Sequence, residues 1–98
     1  MRDHMLAAMV ADRDAVVANS DVNHVIAECV DHALETDSPL RRTFWLDSLA
    51  DVLRPRHEAE RKMLVLAASR RIEATFAVSP PERHDAVRVL AERVVVIP

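Results

Sequence analysis

Residues 38–55 read SPLRRTFWLDSLADVLRP, and this stretch contains one complete helix together with its start and stop signals. Ser38 is a residue type that caps helices, and Pro39 suits the first helical position, where its missing N–H costs nothing. The residue before a proline avoids the α region, so Pro55 places the end of the helix near Arg54. Between these signals, apolar residues recur at helical spacing at Trp45, Leu46, Leu49, Ala50, Val52 and Leu53. The stretch therefore predicts a helix with one buried face.

Similar signals on both sides of this helix predict an all-α fold. Ser20 and Ser79 each precede a segment of helical periodicity, and Pro80 follows Ser79 as Pro39 follows Ser38. The predicted helices cover residues 3–18, 21–35, 39–53, 55–77 and a segment that starts at residue 80. We expect a single domain, residues 1–98, in which about five antiparallel helices form a compact bundle.

The fourth predicted helix has apolar residues on more than one side. They are Met63, Leu64, Leu66, Ala67, Ala68, Ile72, Ala74 and Phe76. A helix that is apolar on two sides usually lies at the centre of a bundle, so we expect the core to surround this helix. The core must be largely aliphatic, because the chain has one tryptophan, two phenylalanines and no tyrosine.

The chain contains no glycine, and this limits the kinds of site that it can build. Phosphate-binding loops, dinucleotide-binding turns and nucleophile elbows all depend on glycine. Cys29 is the single cysteine, so the chain can form no internal disulfide and no thiolate cluster. Its place on the apolar side of a predicted helix favours a buried side chain over a reactive thiol. No pattern singles out a catalytic residue, and we predict no cofactor.

Charge is distributed unevenly along the chain. Residues 1–37 contain two basic and eight acidic side chains, whereas residues 38–71 contain eight basic and four acidic ones. Either the two regions pack beside each other in one bundle, or they associate head to tail between subunits.

The basic region, residues 41–71, also raises the hypothesis of a nucleic-acid binder, with a helix-turn-helix between neighbouring helices. Its basic residues are Arg41, Arg42, Arg54, Arg56, Arg61, Lys62, Arg70 and Arg71. A net charge of −3 and a single aromatic pair fit such a protein poorly, so we expect that nucleic acid is not the partner.

Two apolar features lie outside the main stripes and favour contact with another protein. Leu40 and Phe44 are one turn apart on the third predicted helix, beside Arg41 and away from its buried face. Either they meet a partner, or a neighbouring helix of the same chain covers them. The sequence ends in an apolar run that either docks on the bundle or adds to a partner, made of Val94, Val95, Val96, Ile97 and Pro98.

These features favour a non-enzymatic protein–protein interaction module, such as an adaptor, an assembly subunit or a small inhibitor or immunity-type protein. We expect it to act as a homo-oligomer or in a complex with a protein partner. The candidate contact residues are Leu40, Arg41, Phe44, Val95, Val96 and Ile97. No signal peptide and no run of ~20 apolar residues is recognisable, so we expect a protein of the cytoplasm or of a larger assembly, without a membrane anchor.

A second hypothesis is a small helical metal-binding protein or enzyme. His24, Glu28 and His32 are spaced four residues apart, which places them on one face of the second predicted helix. Histidine and carboxylate side chains stacked in this way can bind zinc or another divalent ion. The alternative is an ordinary solvated acidic face, because these residues lie opposite the apolar stripe.

Overall fold

The structure, a computed structural model, describes residues 2–94, with side chains from Leu6 onward. The described residues form five α-helices joined by short turns, which confirms the all-α fold. The helices are α1 (Arg2–Val17), α2 (Val22–Glu35), α3 (Pro39–Leu53), α4 (Glu58–Glu73) and α5 (Pro80–Val94). The radius of gyration of 13.0 Å is that of a compact chain of about 100 residues.

The start of α3 is set by the local signals that the sequence contains. The Ser38 hydroxyl accepts a hydrogen bond from the backbone N–H of Arg41 at 3.3 Å, and Pro39 occupies the first helical position. The prediction that Ser20 caps α2 is wrong by one residue. Asp21 takes this role, because its backbone is extended and its carboxylate accepts from the backbone N–H of Asn23 at 3.0 Å.

Helix α4 is shorter than predicted at both ends. Before it, the backbone N–H of Arg56 donates to the Leu53 carbonyl at 3.1 Å, so residues near Pro55 form a turn. After it, the backbone N–H of Val78 donates to Thr75, and this second turn buries Val78 in the core. These turns take up the residues at both ends of the predicted helix over residues 55–77.

The core surrounds α3, and the prediction that it surrounds the fourth helix is wrong. Helix α3 contacts each of the other four helices and supplies three of the largest fully buried side chains, Leu46, Leu49 and Leu53. Helix α4 contributes only Ala68 and Ile72 to the fully buried set. The second apolar side of α4 faces solvent, because no other described helix packs over it.

Arginine side chains cap the C-terminal ends of four helices. No described residue has a positive φ, so none of the described helix ends uses the left-handed cap that glycine usually provides. A guanidinium from another segment donates to the terminal carbonyls instead, over 2.9–3.1 Å. Arg42 donates to the carbonyls of Ala33 and Thr36 at the end of α2, and Arg61 donates to the carbonyl of Arg54 after α3. Arg83 donates to the carbonyl of Glu73 at the end of α4, and Arg54 donates to the carbonyl of Arg93 in α5.

The acidic first region and the basic middle region meet within one chain. The Arg71 guanidinium in α4 donates to both carboxylate oxygens of Asp31 in α2, at 3.1 and 2.9 Å. These hydrogen bonds raise the pKa of Arg71 above its usual value. This ion pair joins the two regions within one chain, and the head-to-tail interpretation stays a prediction.

Candidate interaction surface

The predicted pair Leu40 and Phe44 does not form one exposed patch. Leu40, in the first turn of α3, is 80% exposed. Phe44 is half-buried, since its ring meets Trp45 edge-on at 5.7 Å and the guanidinium of Arg13 lies 5.3 Å from its centroid. Leu40 is thus open to a partner, whereas α1 of the same chain covers part of Phe44.

The other predicted contact residues occupy different places. Arg41 is partly buried and lines a cleft between α1, α2 and α3. Val95, Val96 and Ile97 lie outside the described residues, and the last described residue, Val94, is buried. The partner role of the C-terminal run stays a prediction from the sequence.

His24, Glu28 and His32 share one face of α2, and the Glu28 carboxylate lies between the two imidazoles. The Nε2 atoms of the two histidines lie 3.8 and 3.7 Å from the carboxylate oxygens of Glu28. The His32 ring also stacks on Trp45, with centroids 4.2 Å apart. Among residues 6–94, whose side chains are described, no three histidine, cysteine or acidic side chains are placed to hold a metal ion together. The arrangement gives the metal-binding hypothesis no support.

The cleft beside His32 is small. It is lined by Met9, Asp12, His32, Glu35, Thr36, Arg41 and Trp45 and has a volume of about 250 Å³. Small-molecule sites usually occupy about 300–1,000 Å³, so this cleft is below the size of an ordinary substrate pocket. It offers the enzymatic hypothesis little support.

Cys29 is packed in the core and has no exposed surface. Burial, reinforced by the negative charge of Glu28, raises the pKa of the thiol to about 12. Because the thiolate is the reactive form, this side chain is unsuited to nucleophilic chemistry. It is a small core residue, as the sequence predicted.

Two of the large apolar side chains that are exposed in the described part of the chain lie together on α4. Met63 is 72% exposed and Leu66 is 50% exposed, and both point away from the buried Ala68 and Ile72. We call this surface the α4 outer face and define it by its exposed residues Ala59, Met63, Leu66, Ala67, Arg70 and Ala74. The sequence signal for it was the apolar character on two sides of the helix, which we interpreted as a central position.

Phe76 is also exposed, although its sequence pattern predicted a place in the central helix. It is 83% exposed in the turn after α4, and the Arg83 guanidinium lies 5.1 Å from its ring centroid. The other two aromatic side chains pack against one another in or beside the core. A phenylalanine in this position is therefore available for contact at the end of α4.

The basic region is largely engaged within the chain. Six of its eight basic side chains make hydrogen bonds or ion pairs with other residues of the protein: Arg42, Arg54, Arg56, Arg61, Lys62 and Arg71. Three of them, Arg42, Arg54 and Arg61, donate to helix ends. A phosphate backbone would compete with these bonds, so the arrangement gives the nucleic-acid hypothesis little support.

Comparisons with protein-family models, with curated proteins and with solved structures find no match to this chain. Across residues 2–94, no helix combines the length and the apolar character needed to cross a membrane. Any proposal about function must therefore come from the surfaces of this bundle.

Proposed function

We propose that this protein is a non-enzymatic protein–protein interaction module that binds through the α4 outer face. The observation that carries the proposal is the exposure of Met63 and Leu66 on a helix whose opposite side is anchored in the core. Exposed apolar side chains grouped on one side of a helix offer a surface that a partner can bury. Phe76 lies just beyond the end of this helix and adds an aromatic side chain.

The energetics favour this surface as a place of contact. Full burial of one methionine or leucine side chain contributes about 1.5–3 kcal/mol. Met63 is 72% exposed and Leu66 is 50% exposed, so a partner can still bury much of both side chains. A helical partner can pack its own apolar stripe on such a face. The polar residues beside the stripe, such as Glu60 and Arg71, would fix the orientation of the partner.

Photo-crosslinking in the cell that makes the protein tests this proposal. A Met63→p-benzoylphenylalanine variant places the reactive group on the α4 outer face, and a His84→p-benzoylphenylalanine variant places it on the exposed side of α5 as a control. We expect one defined protein, or a second copy of the chain, to be captured from position 63 and not from position 84. Equal, diffuse labelling from both positions would contradict a specific surface on α4.

A further inference from the structure

Helix α1 is attached to the bundle differently from the other four helices. Between Leu6 and Val17 none of its side chains is fully buried, whereas each of the other helices contributes at least two residues to the core. Of the side chains described in α1, those of Val16 and Val17 in the last turn are the ones that pack against the core. In the described part of the chain α1 contacts α2 and α3 alone, so it lies at the edge of the bundle.

Polar side chains join the other four helices into a network that leaves α1 out. Within residues 6–94, no side-chain hydrogen bond or ion pair joins α1 to another helix, and Arg13 pairs with Asp14 of its own helix at 2.9 Å. The network consists of bonds from Arg42 in α3 to Ala33 in α2, from Arg71 in α4 to Asp31 in α2, from Arg54 at the end of α3 to Arg93 in α5, and from Arg83 in α5 to Glu73 in α4.

The surface under α1 is aromatic and incompletely filled. The Arg13 guanidinium lies 5.3 Å from the ring centroid of Phe44. Beside this contact, the cleft of about 250 Å³ has Met9 and Asp12 of α1 on one side and Trp45 on the other. Close-packed protein interiors leave few voids larger than a water molecule, so α1 does not seal the surface on which it lies.

The turn between α1 and α2 makes the start of α2 independent of α1. The carboxylate of Asp21 accepts from the backbone N–H of Asn23 at 3.0 Å, and the side-chain oxygen of Asn19 accepts from the backbone N–H of Asp21 at 2.8 Å. Both bonds lie beyond Val17, the last residue of α1. Movement of α1 about residues 18–20 would therefore leave the cap of α2 intact.

We propose that α1 is a cover that opens as a unit while α2–α5 stay folded, and that its opening uncovers Phe44 and Trp45. A helix with few buried contacts and no polar bonds to its neighbours opens at a lower free energy than the whole bundle unfolds. In the closed bundle the occupant of this aromatic surface is α1 itself. The surface belongs to α3, so the proposal does not depend on the α4 outer face.

Native-state hydrogen exchange in the full chain tests whether α1 opens as a unit. We expect the amides of residues 10–17 to have protection factors at least about a hundredfold lower than those of residues 46–50 in α3, and nearly equal among themselves. Fraying from the first turn would instead give a gradient that leaves residues 16 and 17 as protected as α2. That gradient, or equal protection in α1 and α3, would overturn the proposal.

A matched pair of aspartate variants tests which side of α1 holds it in place. Val16→Asp puts a carboxylate on the side that packs against the core, whereas Ala15→Asp puts one on the neighbouring exposed side. We expect Val16→Asp to lower protection across α1 by at least about tenfold and to leave α3 and α5 within about twofold of the parent. Ala15→Asp should leave α1 within about threefold of the parent.

Two results with these variants would contradict the proposal. Protection lost from α1, α3 and α5 together in Val16→Asp, including complete unfolding of this variant, would show that α1 belongs to the cooperative core. Equal effects of the two variants on α1 would show that its packed side does not hold it.

Trp45 reports whether the aromatic surface is uncovered, because it is the single tryptophan of the chain. Its side chain is only 5% exposed in the closed bundle, so acrylamide should quench its fluorescence about threefold more strongly in Val16→Asp than in Ala15→Asp. If α1 opens in hydrogen exchange while quenching is the same in both variants, α1 is not the cover of this surface and that part of the proposal is wrong.

Discussion

At the scale of single residues, Cys29 gives the most direct test of the core. Its thiol is fully buried, and its pKa is raised to about 12. At pH 8 roughly one part in ten thousand is thiolate in the folded state, against a substantial fraction in an unfolded chain, whose cysteine pKa is about 8.5. We expect Ellman's reagent to label Cys29 at least a hundredfold more slowly in buffer than in 6 M guanidinium chloride. Comparable rates would mean that α2 opens readily.

The same residue predicts a loss of stability at high pH. The pKa is higher in the folded state, so the thiol favours folding fully below the unfolded value of about 8.5 and loses this contribution as the pH rises towards about 12. The parent chain should therefore lose more unfolding free energy between pH 8 and pH 10.5 than a Cys29→Ala variant does. Urea melts of both proteins at the two pH values measure the difference, and parallel losses would contradict it.

At the scale of helices, the arginine caps make specific side chains essential to helix ends. Arg42 donates to the carbonyls of Ala33 and Thr36 and lies 3.6 Å from Glu82 of α5. Removal of this guanidinium leaves two partly buried carbonyls without their donor, so Arg42→Ala should cost about 1.5–3 kcal/mol of unfolding free energy.

Two further variants sharpen this prediction. Arg42→Lys should recover only part of the loss, because an ammonium cannot span both carbonyls as the planar guanidinium does. The control is Arg88→Ala, whose exposed guanidinium pairs with Asp85 and Glu92 of its own helix and should cost much less unfolding free energy than Arg42→Ala. Chemical denaturation ranks the three variants, and an equal cost for Arg42→Ala and Arg88→Ala would show that the cap is dispensable.

The start of α3 could be predicted from the sequence, whereas the arginine caps could not. Ser38 and Pro39 act within one turn of their own helix, so their effect is visible in the local order of residues. Arg54 caps a carbonyl 39 residues away, and no local pattern shows which helix end it will meet. The sequence also cannot tell whether an arginine in a basic region faces solvent or a carbonyl, since both need the same side chain.

At the scale of the whole molecule, the central position of α3 decides which substitutions lower the free energy of unfolding most. Leu49 is fully buried in α3, whereas Leu66 on α4 is half exposed. Leu49→Ala should cost about 2–5 kcal/mol, a large part of the stability of a domain this small. Leu66→Ala should cost much less in a sample dilute enough to be monomeric. Melts of the two variants test this contrast, and a similar cost would indicate a core that extends over α4.

This contrast in burial also explains why the sequence does not distinguish the core side of α4 from the α4 outer face. The buried pair Ala68 and Ile72 and the exposed pair Met63 and Leu66 are all apolar residues of one helix. Periodicity gives the two sides of α4 but not the number of helices that pack around it. That number depends on the chain length and on the turns at Pro55 and Val78, which the tertiary structure sets.

The arginine caps also differ in the length of chain that each one spans. Arg42, Arg61 and Arg83 reach carbonyls only nine, seven and ten residues back along the chain. Each of these bonds closes a short loop and can form as soon as its own pair of helices has left the ribosome. The bond from Arg54 to Arg93 must wait for the end of α5. In a nascent chain, neighbouring helices can therefore pair before synthesis ends. Helix α5 is made last, and the hydrogen bond from Arg54 then links its C-terminal end to the end of α3.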